Sequence, residues 1–174
     1  MNINSRTKKI ALCGILAALT LVMLYIGGMT VFDLCTIVVG ALVTMIVAVE
    51  TGAKFAWLYA AVTSIISLVI LPSKLFAIEY IILGALYPIM KMYFEKCRAL
   101  IAWPIKISFL DTALMFVLAI GKKIADGGAD LPEFGYITML IASVIFVIYD
   151  LALSFFISFY MVKLRNKFTS KKLF

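Results

Sequence analysis

The chain has 174 residues, of which 65% are hydrophobic and 14% charged, with 16 lysines and arginines against 9 acidic residues. So apolar a composition excludes a water-soluble globular domain, and it leaves no solvated surface on which the formal charge of +7 could bind nucleic acid. Histidine is absent, which removes the commonest transition-metal ligand and the usual proton shuttle near neutral pH.

Apolar runs close to the ~18–20 residues that cross ~30 Å of hydrocarbon recur along the chain, and none alternates as a membrane barrel would. The predicted architecture is all-α, a single domain over 1–174 with six transmembrane helices at about 8–27, 32–50, 54–71, 75–94, 99–120 and 136–163. The breaks fall at Gly27-Gly28, Glu50-Thr51-Gly52, Leu71-Pro72-Ser73, the basic KMYFEKCR and Gly121.

The first helix, KKIALCGILAALTLVMLY, follows the basic MNINSRTKK. Its apolar part exceeds the ~7–15 residues of a signal peptide and no small-x-small cleavage site follows, so it is read as a retained span. Ala11, Gly14 and Ala18 recur at spacings of three and four, with Cys13 and Ala17 alongside. Such a smooth seam lets another helix approach closely, inside the fold or on a second membrane protein. Asp33 opens the second helix, where the dipole favours a negative charge. In the fourth helix Glu79 lies about one turn inside the end, followed by Tyr80, Tyr87 and Pro88. Glu79 is either a polar contact for a small molecule with Tyr80 stacking beside it, or an interfacial carboxylate paired with Lys74.

A charge near the bilayer centre costs about 2.5–3.5 kcal/mol on insertion scales, so ionisable residues there face protein, a water-filled cavity or a partner. The fifth helix carries KISFLDTALMF. Its Lys106 and Asp111 are five residues apart, about 140° around the helix, so they do not pair with one another. Lys106 either snorkels to the nearer interface or reaches Asp150 on the sixth helix. Asp111 shares its stretch with Ser108 and Thr112, and the sixth helix aligns Ser143, Asp150, Ser154 and Ser158 at spacings of seven, four and four. The two polar faces are predicted to meet, as a hydrogen-bonded lock or as the floor of a binding cavity.

Lysines and arginines set the orientation. With the N-terminus inside, one side collects Arg6, Lys8, Lys9, Lys54, Lys91, Lys96, Arg98, Lys163, Arg165, Lys167, Lys171 and Lys172, and the other Lys74, Lys122 and Lys123. Both termini are therefore predicted to be cytoplasmic, in the cell membrane. The GKKIADGGADLPEFG loop is then external, and the basic tail KLRNKFTSKKLF lies along the anionic lipid of the inner leaflet.

Enzyme signatures are missing. There is no glycine-rich phosphate loop and no metal-spaced cluster, and Cys13, Cys35 and Cys97 show no CxxC spacing. FLDTA and IYDLA hold only half of the YD and GxGD pair of intramembrane aspartyl proteases. The expectation is a protein that is not an enzyme and uses no cofactor or metal.

Six helices in this length, both termini inside, and a basic start running into KKIALCGILAALTLVM resemble the substrate-binding S components of energy-coupling factor (ECF) transporters. The resemblance implies that a vitamin-sized organic nutrient is captured from outside by helices four to six and the outer loops. It also implies two cytoplasmic ATPases and a separate transmembrane coupling subunit, which docks on an AxxxA-like element of the first helix. That element corresponds here to Cys13 through Ala17 or Gly14 through Ala18. The lack of histidine departs from the cobalt and nickel branch. On this reading Glu79, Tyr80, Asp111 and Asp150 touch or shape the substrate site. Two alternatives stay open. One is a self-contained proton-coupled carrier or lipid translocator using the mid-span carboxylates, and the other a scaffold in which Lys106, Asp111 and Asp150 merely lock helices.

Overall fold

The computed structural model describes residues 6–30, 32–94, 103–109, 111–113, 115, 117 and 136–165, and all regular structure among them is helical. The helices are α1 (Arg6–Gly27), α2 (Asp33–Thr51), α3 (Ala53–Ile70), α4 (Lys74–Phe94), α5 (helical at 103–109 and 111–113) and α6 (Tyr136–Phe159, continued by π-helical turns over Tyr160–Arg165). For α1 to α4 these bounds lie within two residues of those predicted. Among the described residues, α1 to α4 and Ser143–Val162 of α6 are long and apolar enough to cross a bilayer, five spans in all. The chain is a multi-pass helical membrane protein. Lys96, Cys97 and Arg98, the predicted ends of α5, the GKKIADGGADLPEFG loop and the tail from Asn166 lie outside the described residues.

The central helix is α2, which packs against α1, α3, α4 and α6. It enters each of three buried clusters. Ile37 and Ala48 join Leu24, Ala60, Phe76 and Tyr80. Ala41 and Met45 join Tyr87, Phe146 and Leu153, and Val47 joins Cys13, Ala17 and Tyr59. Gly40, Thr44 and Ala48 recur every fourth residue, so one face of α2 is nearly flat and neighbours come into close van der Waals contact, the main source of helix association in lipid. A Cβ at Gly40 would sit 2.9 Å from the Tyr80 ring. Thr20 and Tyr59 share a hydrogen bond of 2.7 Å that ties α1 to α3. Gly52 alone links α2 to α3, at φ 95°, a left-handed conformation that glycine adopts without steric cost.

Within α4, Tyr80–Leu86 widens into π-helical turns. Pro88 accounts for this: it has no N–H to give to the carbonyl four residues back, that of Gly84, and its ring crowds the same carbonyl. The Tyr87 N–H bonds to Ile82 O, five residues back, so the carbonyls of Leu83 and Gly84 lose their α-helical donors. Neighbouring helices supply replacements. Thr44 Oγ1 on α2 shares its proton between Gly40 O and Gly84 O, each at 2.9 Å, and Tyr149 OH on α6 donates to Leu83 O at 2.8 Å. In hydrocarbon a bare carbonyl costs several kcal/mol, so these two bonds make the widening tolerable and hold α4 between its neighbours.

The widening also sets which way α4 faces. In an unbroken α-helix Tyr80 and Tyr87, seven residues apart, return to within about 20° of the same face. The π turns hold the second back by roughly one residue's rotation, on the order of 100°. Tyr80 accordingly packs with residues of α1, α2 and α3, whereas Tyr87 meets Phe146 and Leu153 of α6.

Candidate functional site

Tyr87 and Lys91 stand one turn apart on α4 and so share a face. That face meets Asp150, near the middle of α6, and Lys106 on α5. Tyr87 OH and Lys91 Nζ both donate to Asp150 Oδ1, while Lys106 Nζ donates to Oδ2 at 2.8 Å. Lys91 Nζ also donates to the backbone oxygen of Asp150 at 2.8 Å. Side-chain exposure is 0% for Lys91, 7% for Lys106 and 3% for Asp150, so three ionisable groups from three helices meet in the interior, with only Lys106 keeping a narrow exposed edge.

Aromatic rings wall the cluster. Tyr87 lies 4.8 Å edge-on to Phe146, 5.7 Å from Tyr149 and 5.8 Å from Phe109, centroid to centroid. Lys106 Nζ stands 5.4 Å over the Trp103 ring, a cation–π contact. Low dielectric strengthens these attractions, yet removing water from the charges costs as much or more, so the cluster need not add net stability. What it does impose is specificity, because Lys106 left without the carboxylate would be an uncompensated buried charge.

The structure separates the four residues proposed from sequence. Asp150 is in the cluster. Asp111 is half-buried on α5, five residues beyond Lys106. Glu79 is half-buried near the other end of α4, within electrostatic reach of Asp33, and Lys74 donates instead to the carbonyls of Leu68 and Leu71. Tyr80 is fully buried with its ring against Gly40 and Gly84, and its hydroxyl has no hydrogen-bond partner among the described residues.

The expected meeting of two serine and threonine faces is corrected. Ser108 and Thr112 are exposed, and Thr112 Oγ1 donates to Ser108 O on its own helix. Lys106 takes the position facing α6. A hydroxyl can satisfy itself on the backbone one turn away, whereas an ammonium in this setting needs a carboxylate. Ser154 likewise donates to the backbone oxygen of Asp150 at 3.0 Å. The first-helix seam divides as well. Cys13 and Ala17 pack inside with Val47 and Tyr59, whereas Ala11, Gly14 and Ala18 are exposed.

Sequence reasoning missed Lys91, which it placed among the flanking charges, and passed over the hydroxyl of Tyr87. The available signal was their spacing of four, which puts an ammonium and a phenol on one face of a helix already known to be apolar.

A groove runs between α4 and α5. One part, about 480 Å³, is lined by Phe94, Pro104, Ile105, Ser108, Phe109 and Thr112. The next, about 260 Å³, is lined by Ile82, Leu86, Phe109, Thr112 and Ala113. Phe109 therefore borders both parts on one side and the Tyr87 ring on the other.

No protein-family model, curated protein or solved structure matches the chain.

Proposed function

We propose that the chain is the membrane-embedded substrate-binding component of an uptake system for a small organic nutrient, of the kind that its resemblance to ECF S components implies. The observation that carries this reading is the Asp150 cluster. Apolar contacts could join α4, α5 and α6, and replacing a buried ion pair by such packing is often neutral or stabilising. Ionisable groups kept inside a membrane protein, at about 2.5–3.5 kcal/mol each near the bilayer centre, fit a site that must bind, open and close.

Both termini are cytoplasmic in this proposal. Lys91 no longer counts as a flanking charge, and the remaining lysines and arginines still favour that orientation by eleven to three. The separate coupling subunit docks on the exposed Gly14 and Ala18 edge of α1, where a Cβ on Gly14 would meet nothing within 4 Å. Cytoplasmic ATPases supply the energy, and Asp150 belongs to the substrate site.

Native mass spectrometry of the purified protein tests the reading. A small molecule bound one to one, released on denaturation, is the expected result. No bound small molecule, together with solute flux driven by a proton gradient in vesicles that lack any ATPase, would refute it in favour of a self-contained carrier.

A further inference from the structure

We infer that Lys106 receives the carboxylate of the solute, that Asp150 Oδ2 is the built-in counterpart it trades away, and that the solute is a small organic carboxylate with an apolar body. This rests on the solute-binding reading above and narrows its chemistry.

The donors to Asp150 are divided between two helices. Asp150 Oδ1 is held from α4 by Tyr87 and Lys91, and Oδ2 from α5 by Lys106. Lys106 can exchange Oδ2 for another carboxylate while Asp150 keeps two donors, so the exchange strands no buried charge. Lys91 is anchored by its further bond to the Asp150 backbone and is fully buried, whereas Lys106 retains an exposed edge.

An apolar groove lies along the same helix as Lys106. Ile105 and Phe109 line it and flank Lys106 along α5, Phe109 standing one turn on. Binding from this groove requires the Phe109 ring, which lines it and stands 5.8 Å from the Tyr87 ring, to turn aside. The larger part of the groove, about 480 Å³ and open along one side, has room for a small molecule. Its lining is apolar apart from the hydroxyls of Ser108 and Thr112, which suits an apolar body with a polar substituent. The two lysines of the cluster, which lies beyond the Phe109 and Tyr87 rings, disfavour a cation, and the lysine that exchanges presents one point charge, matching a monoanion.

An anionic lipid offers related chemistry, so the experiment separates the two. The full-length protein, carrying Trp57→Phe so that Trp103 reports on Lys106, is placed in phosphatidylcholine nanodiscs and titrated with benzoate or with benzamide, its neutral analogue. Benzoate is expected to give a saturable change in Trp103 fluorescence, with benzamide at least tenfold weaker. Lys106→Gln should weaken benzoate at least tenfold, and Lys106→Arg should restore most of the loss. Both variants leave Asp150 with Tyr87 and Lys91, and circular dichroism checks that they fold. Asp150→Asn should act in the opposite sense, tightening benzoate severalfold, because the internal competitor is gone.

Equal responses to benzoate and benzamide would overturn the inference, as would no response to benzoate or a benzoate response untouched by Lys106→Gln. A Trp103 change produced by phosphatidylglycerol nanodiscs in place of benzoate would overturn it in favour of lipid. A neutral or cationic molecule found by native mass spectrometry overturns the carboxylate alone and leaves the uptake reading standing.

Discussion

Asparagine at position 150 is the sharpest probe of the cluster. The carboxylate accepts three side-chain bonds, two of them from ammonium groups. The amide keeps one accepting oxygen and presents an NH2 in place of the other. With its oxygen toward α4 it serves Tyr87 and Lys91 while the NH2 confronts Lys106, and flipped it confronts Lys91. Either way a cation faces a donor. Removing one partner of a buried ion pair costs about 3–5 kcal/mol. Two escapes reduce that here: Lys91 keeps the backbone oxygen of residue 150, and Lys106 lies one turn from Trp103 with an exposed edge from which it can snorkel. Asp150→Asn should therefore lie near the lower end, about 3 kcal/mol or roughly a hundredfold in the unfolding equilibrium, and Asp150→Ala near about 5 kcal/mol. Unfolding by SDS titration in mixed micelles, followed by near-UV circular dichroism, measures both. Adding Lys106→Gln to Asp150→Asn should cost little more, giving a coupling of about 1–3 kcal/mol in the double-mutant cycle. A loss within about 0.5 kcal/mol of wild type, with an additive cycle, would mean that the cluster does not form in the folded protein.

Thr44→Val removes the donor to Gly84 O while keeping the side-chain shape, and should lower stability by about 1 kcal/mol in the same titration; no change would refute the account of how Pro88 is compensated. Tyr80→Phe should be neutral or stabilising by up to about 1 kcal/mol, because it deletes a buried hydroxyl that has no hydrogen-bond partner among the described residues. A loss larger than that would show that the hydroxyl is bonded in the membrane. For orientation, a chain with Cys13→Ser and Cys97→Ser should be labelled at the exposed Cys35 by a membrane-impermeant maleimide added to intact cells, whereas labelling only after lysis would reverse the proposed topology.

Much of the architecture was legible because the bilayer simplifies the code. A span must be long and apolar, and Gly, Pro and clustered charge are the few ways to end it, so α1 to α4 begin and end within two residues of the predicted positions. Asp150 was legible for the same reason, as a carboxylate halfway along an apolar helix. Lys91 was not, because a lysine three residues from the end of a span looks the same whether it meets headgroups or turns inward, and only the position of α6 decides. The wheel of α5 correctly kept Lys106 from Asp111, yet it could not say which of its polar sides would meet Asp150. Glu79, Tyr80 and Asp150 were grouped by residue type, and the structure places the first two far along α4 from the cluster. Eleven residues separate Tyr80 from Lys91, about 16 Å of helix.

Pro88 makes the number of residues between Tyr80 and Lys91 into an angle. Deleting or inserting one residue anywhere over Tyr80–Leu86 would leave a helix just as apolar on a hydropathy plot, yet it would swing Lys91 about 100° away from Asp150. A length change of one residue, silent for membrane insertion, would thus undo the ionic chemistry of the protein, and the residue that holds the phase carries no charge of its own.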